Sequence, residues 1–375
     1  MQIKKIKLQN YRNYDEFEIQ FGQNLNIIIG NNAQGKTNLL ESIYVLAVTK
    51  SILSINDKGL IHFDDKFAKI SGEVINKDNK NNKLEIVFNE KGKVVKVNGK
   101  EIKKLSEYIS LVNVIIFSTD NIRIFKESPN SRRKYFNIEI SQINKSYLKY
   151  LRDYNILLRQ RNEFLKVMNV NKESDMNYLD ILNDKYALLS IMIAKYREEY
   201  VIDINKYLSD MFKYIVGCDG LVLRYHTSVL SDKEEFKKKL KDNLEKELLY
   251  KMTLIGPNRD DFYFKLDDKN LSLYGSQGQI RSAVLALKLS EVKLFTDRMK
   301  DGPILLLDDI FSELDIEKRN NLLCALSDNI QTIITTTDIE NITEDIRKKA
   351  NVYELDDGNI ISVQINEEDG EINGK

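Results

Sequence analysis

The sequence predicts an α/β protein in which a mixed sheet and an antiparallel β lobe are interrupted along the chain by a mainly helical lobe. Three observations predict this fold. Short β-like runs separated by turns fill roughly the first hundred residues, and helical spacing of apolar residues replaces them from about Ser128 to about Gly217. Alternating helices and strands return after Ser276. The helical segment is therefore an insertion between two parts of one sheet-containing domain.

Composition and charge limit what the protein can be. With 42% hydrophobic and 30% charged residues, its 375 residues suffice for two domains with their own cores. No apolar run approaches the roughly 18 residues that a membrane span needs, so we expect a soluble cytoplasmic protein without a membrane partner. The 57 basic and 57 acidic residues cancel, so a nucleic-acid partner would meet a local basic patch. Cys218 and Cys324 have no metal-ligand spacing, and we expect both in the core.

The first site signal is the segment GNNAQGKT, from Gly30 to Thr37. It fits the phosphate-loop pattern G-x-x-x-x-G-K-[ST], between an apolar strand at Leu25 to Ile29 and an apolar helix, which is the context that this pattern requires. Backbone N–H groups of such a loop converge on phosphate oxygens, Lys36 neutralises the β- and γ-phosphates, and the Thr37 hydroxyl ligates Mg²⁺. The sequence therefore predicts a site for ATP and Mg²⁺. The nucleotide-binding residues would be Gly30, Asn31, Asn32, Ala33, Gln34, Gly35, Lys36, Thr37 and Asn38.

Strand signals around this loop predict the antiparallel β lobe. The runs IKKIKL and EFEIQF precede the loop, and AKISGEV follows its helix. The segment LEIVFNEKGKVVKVNG predicts a hairpin that turns near Lys91 and Gly92. These runs are short and bounded by turn residues, which is typical of strands in an antiparallel sheet.

Apolar residues at helical spacing predict two long helices after the β lobe. Tyr147, Leu151, Tyr154 and Leu158 form the apolar series of the first helix, and a second series runs from Leu179 to Tyr200 in steps of three and four. The polar segment NVNKESD separates the two series. We therefore expect two helices that pack against each other in antiparallel orientation.

These patterns divide the chain into a head that is split in sequence, a helical lobe and a tail. We assign residues 1–125 and 255–365 to the head, and residues 126–254 to the helical lobe with its short antiparallel helix pair. The acidic segment at 366–375 is expected to be a flexible tail.

Basic residues form one stripe on the first of the two long helices. At about 100° per residue, the stripe lies opposite the apolar series and therefore faces outward. Such a face is often merely solvated, whereas a repeat of one sign in a chain of zero net charge favours contact with DNA phosphates. Both interpretations stay open, and an alternative DNA path would use Lys4, Lys5, Lys7 and Arg12 of the β lobe. The stripe consists of Lys145, Lys149, Arg152 and Arg159.

A second glycine-bearing turn, YGSQGQ, precedes a helix with an apolar face at Ile280, Ala283, Val284 and Leu287. It contains no lysine, but its backbone N–H groups and the Ser276 hydroxyl form an anion site at a helix N-terminus. One interpretation is a plain serine-capped helix. The other is a half-site that completes the nucleotide pocket of a second copy, as the signature motif of ABC-type ATPases does across a head-to-tail dimer. The residues acting in trans would be Ser276, Gln277, Gly278 and Gln279.

The strand PILLLDD places two carboxylates after an apolar run. In a parallel sheet, its carboxyl end lies beside the phosphate loop, so Asp308 is predicted to hold the Mg²⁺ shell together with Thr37. Asp309 follows it by one residue, and it is the natural group to orient or deprotonate the attacking water. Asp309 and Lys36 are therefore the predicted catalytic residues.

Two further segments complete the pattern of ABC-type ATPases. Ser312 to Asp315 resembles the D-loop of that class, and Thr335 to Asp338 lies where the class usually has a switch histidine. No histidine stands at that position here. Polar contact to the γ-phosphate would come from Thr336 or Thr337.

Taken together, these motifs resemble those of the RecF family, bacterial recombination-mediator ATPases related to the SMC class, and the resemblance covers nearly the full chain. It implies the head fold of ABC/SMC-type ATPases with an inserted, mainly helical lobe. The segments that carry it are LQNYRNYDEFEIQF, GNNAQGKTNLLESI, IFSTDNIRIFKESPNSRRKYFN, YLRDYNILLRQRNEFL, IGPNRDDF, YGSQGQIRSAVLALKLSE and ILLLDDIFSELD.

The resemblance also implies a function in recombinational repair and replication-fork recovery. It implies a weak, DNA-stimulated ATPase that forms an ATP-dependent head-to-tail homodimer and binds double-stranded DNA near gaps or single-strand/double-strand junctions. RecR and RecO would be its partners in loading RecA onto single strands. One alternative is the ATPase subunit of an ABC transporter, which shares the loop and signature but should lack the β lobe and the basic helical arm. The other is a nuclease-type relative, which would need an additional acidic metal cluster.

Overall fold

The computed structural model describes residues 1–51, 53, 56–76, 78–118, 123–299, 302–313, 318–319, 322, 330–337, 342 and 344–366. The chain forms two compact units. The first contains Met1–Asn121, Met211–Cys218 and Ser282–Lys375, and the second contains Ile122–Asp210 and Asp219–Arg281.

One sheet of the first unit is antiparallel throughout. Buried and partly exposed residues alternate along its strand at Phe67–Ile75, because one face of the sheet covers the core. The predicted hairpin is confirmed, with Asn89 opposite Gly92. In sheet order, the strands are β2 (Tyr14–Gln20), β1 (Gln2–Tyr11), β4 (Phe67–Ile75), β5 (Asn81–Asn89), β6 (Gly92–Val97) and β7 (Lys100–Glu101).

The other sheet of the first unit is mixed, as the sequence predicts. Its strands are parallel except at one edge, where the last two form an antiparallel pair. Asp308 lies opposite Thr335, and Thr336 lies opposite Ile29, so several strands end at the same edge. In sheet order, the strands are β15 (Asn359–Gln364), β14 (Ala350–Asp356), β3 (Leu25–Ile29), β13 (Thr332–Thr336), β12 (Ile304–Asp308) and β8 (Val114–Ser118).

Helix α1 (Lys36–Val48) contacts strands of both sheets. Every residue from Leu39 to Val48 is buried, and all of them except Glu41 and Ser42 are apolar or aromatic. The other helical segments of this unit are α2 (Leu105–Tyr108), α11 (Glu344–Lys348) and 3₁₀ turns at Asp57–Leu60 and Ile310–Glu313. Because α1 packs against strands of both sheets, the end of the phosphate loop is anchored to the core of this unit.

The second unit is mainly helical and also contains a three-stranded sheet. The predicted antiparallel helix pair is present, with Tyr154 Oη 3.0 Å from Tyr186 Oη and Arg161 Nε donating to Asn183 Oδ1 at 2.9 Å. The helices are α3 (Arg123–Lys126), α4 (Pro129–Ile143), α5 (Lys145–Val167), α6 (Glu173–Val216), α7 (Lys233–Asp242), α8 (Leu244–Tyr250), α9 (Leu271–Tyr274) and α10 (Gln277–Met299), of which α6 and α10 continue into the first unit. In sheet order, the strands are β11 (Lys269–Asn270), β10 (Asp261–Leu266) and β9 (Leu221–His226).

The compact units have other bounds than the sequence-based division, and Met211–Cys218 of the predicted helical lobe groups with the first unit. Residues 255–281, which the sequence analysis places in the head, group with the helical unit. Strand β10 pairs with β9, and the Arg132 guanidinium donates to both carboxylate oxygens of Asp261, at 2.8 and 2.7 Å. The buried Arg197 also contacts Asp260, at 3.2 Å. These long-range contacts bind the segment to the helices, and no local pattern in the sequence reveals them.

The prediction that both cysteines lie in the core is wrong for Cys218. This residue is exposed because α6 ends at Val216 and the chain turns there through Gly217. Cys324 lies outside the described residues. Within the described part of the chain, no helix combines the length and the apolarity that crossing a membrane would require.

Candidate nucleotide-binding site

The loop between β3 and α1 has the backbone that its glycines predict. Gly35 has a φ of 99° and precedes α1, and a Cβ atom there would lie 2.6 Å from the Tyr14 hydroxyl oxygen. At Gly30, a Cβ atom would overlap the carbonyl oxygen of Leu355. Both positions therefore require glycine, the first for its conformation and both for the close approach of neighbouring groups.

Lys36 is the first residue of α1, and its side chain reaches back over the loop. Its ammonium donates to the carbonyl oxygens of Gly30 and Asn31, at 2.5 and 2.8 Å, and the residue is 7% exposed. Burial lowers the pKa of Lys36, and the negative charges of Asp309 and Asp308 partly offset this effect. The same ammonium can donate to phosphate oxygens, as the sequence analysis predicts.

Thr37 and Asp308 are brought together, although 271 positions separate them in the chain. The Thr37 hydroxyl donates to Asp308 Oδ1 at 3.0 Å, and the Thr335 hydroxyl donates to the same oxygen at 2.8 Å. Hydroxyl and carboxylate oxygens are the ligands that Mg²⁺ prefers, so this pair fits the predicted metal. Burial raises the pKa of Asp308, although both hydroxyl donors oppose the rise.

We expect Asp308→Asn to increase the stability of the protein without nucleotide at pH 8. The amide oxygen can accept from Thr37 and Thr335, while the cost of a buried charge disappears. Because the pKa of Asp308 is raised by folding, ionisation destabilises the wild type as the pH rises from the unfolded value of about 4 through the folded value. Melting temperatures should therefore differ at pH 8 and converge at pH 4. A variant that is less stable than the wild type at pH 8 would contradict this account.

Asp309 follows directly, with a left-handed backbone at φ 49°. Its N–H donates to the carbonyl oxygen and to the hydroxyl of Thr335, at 3.2 and 3.1 Å. The residue is half-buried, and its charge acts on the Lys36 ammonium. The Asp309 backbone is therefore bonded to β13 beside the loop, where a carboxylate can act on a water near bound phosphate.

The remaining predicted contacts at this edge are described in part. Thr336 is fully buried at the end of β13, and Thr337 is half-buried. The predicted D-loop begins in the 3₁₀ turn at Ile310–Glu313, whereas Leu314, Asp315 and Asp338 lie outside the described residues. The contribution of Thr336 or Thr337 to γ-phosphate contact stays a prediction.

A partly buried ion pair next to the loop was not predicted. Glu41 is fully buried one turn after Thr37, and it accepts from Arg12 at Oε1 (2.8 Å) and at Oε2 (2.9 Å). The Tyr11 hydroxyl donates to Glu41 Oε2 at 3.0 Å, and the Ser51 hydroxyl donates to Oε1. The signal in the sequence was an acid within an otherwise apolar helix, because a buried carboxylate needs a partner. Arg12, offered above as a DNA contact, is thus paired with Glu41.

The signature residues form the N-terminal cap of α10. Ser276 Oγ accepts from the N–H of Gln279 at 3.2 Å, and Gln279 Oε1 accepts from the N–H of Ser276 at 2.9 Å. This reciprocal pair is a capping box. Gln277 and Gly278 are exposed, as are Leu273 and Tyr274 just before the cap, at 74% and 73%. The structure therefore contains the helix cap that the sequence indicates, whereas contact of these residues with a nucleotide bound to a second copy stays a prediction.

The basic stripe faces solvent along α5. Lys145, Lys149, Arg152 and Arg159 are all exposed, whereas Tyr147 and Tyr154 on the opposite side are buried. Arg152 donates to its neighbour Asp153 at 2.8 Å. Exposure agrees with both interpretations of the stripe, so DNA contact stays a prediction.

The phosphate loop, the serine-capped helix and the acid-ended strand, on a mixed sheet with an antiparallel lobe and a helical insertion, define the head of an ABC/SMC-type ATPase. A sequence model described as "RecF/RecN/SMC N terminal domain" matches residues 2–360. An SMC head domain from Pyrococcus furiosus has a TM-score of 0.53 at 15% identity, over 96% of this chain and 95% of that one, which supports the fold.

Proteins of similar sequence identify one family within this class of ATPases. "DNA replication and repair protein RecF" of Geobacillus sp. (strain WCH70) is 39% identical over 96% of this chain and 98% of its own length, and the protein of that name from Staphylococcus carnosus (strain TM300) is 39% identical over 96% and 100%. A structure described as "Structure of the recombination mediator protein RecF-ATP in RecFOR pathway" has a TM-score of 0.88 at 32% identity, covering 97% of both chains. The chain belongs to the RecF family. This membership favours a DNA-repair role over the transporter alternative.

Proposed function

We propose that this protein binds ATP with Mg²⁺ and hydrolyses it slowly to ADP and phosphate. The observation that carries the proposal is the contact of Thr37 with the buried carboxylate of Asp308 at the mouth of the loop that holds Lys36. The relative whose structure is described as RecF-ATP supports the choice of nucleotide. Titration of the protein with a fluorescent ATP analogue, with and without Mg²⁺, tests it directly.

In the proposed reaction, each residue has a separate task. The loop N–H groups and Lys36 hold the phosphates, and Thr37 and Asp308 would hold Mg²⁺, which supplies charge neutralisation when it is bound. Asp309 orients the attacking water or accepts a proton from it, because it is the half-buried carboxylate next to Thr37 and Asp308. The fixed backbone of Asp309 supports this role, since general-base catalysis depends on a precise position.

We further propose that ATP joins two copies head to tail, with Ser276 to Gln279 of each copy completing the site of the other. The exposed cap of α10 supports this, because the N-terminus of a helix and the Ser276 hydroxyl can meet a γ-phosphate presented by another copy. The exposed Leu273 and Tyr274 beside the cap would be covered in such a dimer.

The dimer is proposed to act in the cytoplasm on double-stranded DNA near gaps or strand junctions, where DNA stimulates its ATPase activity. The relatives' name, "DNA replication and repair protein RecF", supports a role in repair. RecR and RecO are proposed as partners in loading RecA, because the solved relative is described as a mediator in the RecFOR pathway. The basic stripe of α5 is the proposed phosphate-contacting surface, because all four of its residues are exposed.

Replacing Lys145, Lys149 and Arg152 with Gln should weaken duplex binding and flatten its salt dependence. Each lost phosphate contact lowers the slope of log affinity against log salt by about 0.9, so three contacts lower it by up to about 2.7. Duplex affinity measured by fluorescence anisotropy at several salt concentrations checks this. ATP-driven dimerisation should persist.

A matched control for charge is available on α7. Lys233, Lys237 and Lys241 form ion pairs with Asp180 and Asp184, so two of their three positive charges are compensated locally. Replacing these three lysines with Gln changes the net charge equally but should leave the salt slope close to that of the wild type. If both triple variants lower the slope alike, or neither does, the stripe of α5 is merely solvated.

A further inference from the structure

The turn between β14 and β15 contacts the phosphate loop, although it lies more than three hundred positions away in the chain. This β14–β15 turn comprises Asp356 to Asn359, which pair with each other across Asp357 and Gly358. Both central residues have positive φ angles, 43° and 73°, which identifies a type I′ hairpin turn. The register of the hairpin shifts between Glu354 and Leu355, where β14 ceases to pair with β3.

Contact occurs at the start and in the middle of the loop. Leu355, just before the turn, places its carbonyl oxygen so close to Gly30 that no side chain fits there. The N–H of Asp357 donates to Gln34 Oε1. Gln34 is half-buried, and the phosphate-loop pattern requires no particular side chain at this position.

Tyr14 lies between the turn and the end of the loop. A Cβ atom at Gly358 would lie 3.6 Å from the Tyr14 ring, and the buried Tyr14 hydroxyl donates to the carbonyl oxygen of Gly35 at 3.0 Å. Asn13 next to it accepts from the Asn38 side chain at 2.8 Å. The turn thus bonds to the middle of the loop at Gln34, the strand residue before it approaches Gly30, and Tyr14 lies between the turn and Gly35.

We propose that the β14–β15 turn sets the affinity for nucleotide by holding the phosphate loop in its binding conformation. Gln34 and Gly358 are positioning residues in this account. The loop must keep its N–H groups convergent, which costs conformational entropy unless neighbouring groups fix the backbone beforehand. The turn supplies that restraint from the β14–β15 edge of the mixed sheet, which contributes no other residue to the proposed nucleotide site. This inference rests on the proposed ATP binding.

The test uses Gly358→Val and a matched control in an identical turn. Asn98 and Gly99 form the β6–β7 turn with φ angles of 51° and 79°, and a Cβ atom at Gly99 would meet nothing within 4 Å. A β-branched residue at positive φ is an outlier, so valine should disturb both turns alike. Only the turn at Gly358 braces the phosphate loop.

Dissociation constants for a fluorescent ATP analogue decide between the outcomes. Gly358→Val should raise the constant about fivefold or more, the equivalent of one lost hydrogen bond, and turnover at saturating ATP should change far less. Gly99→Val should lose a similar amount of thermal stability, but its dissociation constant for the ATP analogue should equal that of the wild type. Equal dissociation constants for the two valine variants would overturn the proposal, because disruption of a turn with a purely structural role lowers only the stability of the protein.

Gln34→Leu provides a second variant that leaves the turn intact. It should also raise the dissociation constant, and the double variant with Gly358→Val should show less than the sum of the two effects, because both remove the same contact. Strictly additive effects would overturn the coupling. If the wild type itself binds no nucleotide, the proposed function fails, whereas wild-type binding with unaffected variants removes only the role of the turn.

Discussion

Asp309→Asn should bind ATP as tightly as the wild type and hydrolyse it at least about a hundredfold more slowly, the range in which a positioned general base contributes. The amide keeps the shape of the carboxylate but cannot accept a proton. Asparagine tolerates the left-handed backbone that Asp309 adopts, so the N–H bonds to Thr335 should persist. The substitution should therefore destabilise the transition state of hydrolysis and leave nucleotide binding unchanged.

Phosphate release in single-turnover experiments, together with nucleotide affinity, measures this effect. Asp64→Asn is a suitable control, because Asp64 is exposed, also has a positive φ, 69°, and makes no contact with the phosphate loop among the bonds described above. The control should hydrolyse ATP at the wild-type rate. Turnover by Asp309→Asn within a fewfold of the wild type would refute the assigned role.

Ser276→Arg should abolish ATP-dependent dimerisation and reduce turnover by about a hundredfold or more, the loss typical of removing one donor to the transition-state charge. The Ser276 hydroxyl caps α10 at an exposed position, so the larger side chain disturbs the proposed contact without entering a core. A mixture with wild-type protein should retain one functional composite site per mixed dimer.

Loss of a helix cap must be separated from loss of a contact between copies. Ser128 also caps a helix, because its side chain accepts from the N–H of Ser131 at 3.4 Å. Ser128→Arg should therefore cost a similar stability, on the order of 1 kcal/mol, and still dimerise with ATP. Dimerisation of Ser276→Arg at the wild-type nucleotide concentration would leave only the plain capping role.

Local patterns in the sequence predicted which residues meet at the carboxyl edge of the mixed sheet. The phosphate loop has a fixed spacing, and an apolar run ending in Asp308 and Asp309 is typical of a strand that delivers acids to the carboxyl edge of a sheet. The antiparallel helix pair could be predicted because apolar periodicity persists over many turns. The cap at Ser276 was also visible, since Ser followed three residues later by Gln is the spelling of a capping box.

Contacts between residues far apart in sequence were not predictable. The pairing of Arg12 with Glu41 required knowing that α1 is buried all round, and the bond between Gln34 and Asp357 joins the loop to a hairpin whose own sequence indicates only a turn. The grouping of residues 255–281 with the helical unit likewise depends on side-chain ion pairs such as Arg132 with Asp261. Periodicity carries no information about such partners.

Sedimentation velocity of Asp309→Asn tests the central claim most directly, because slow hydrolysis preserves the ATP-bound state during the run. The account predicts a monomer without nucleotide and with Mg·ADP, and a stable dimer with Mg·ATP that Lys36→Ala does not form. A sedimentation coefficient that is the same in all three conditions, with ATP bound, would contradict the proposal that the nucleotide held by Lys36, Thr37 and Asp308 joins two heads.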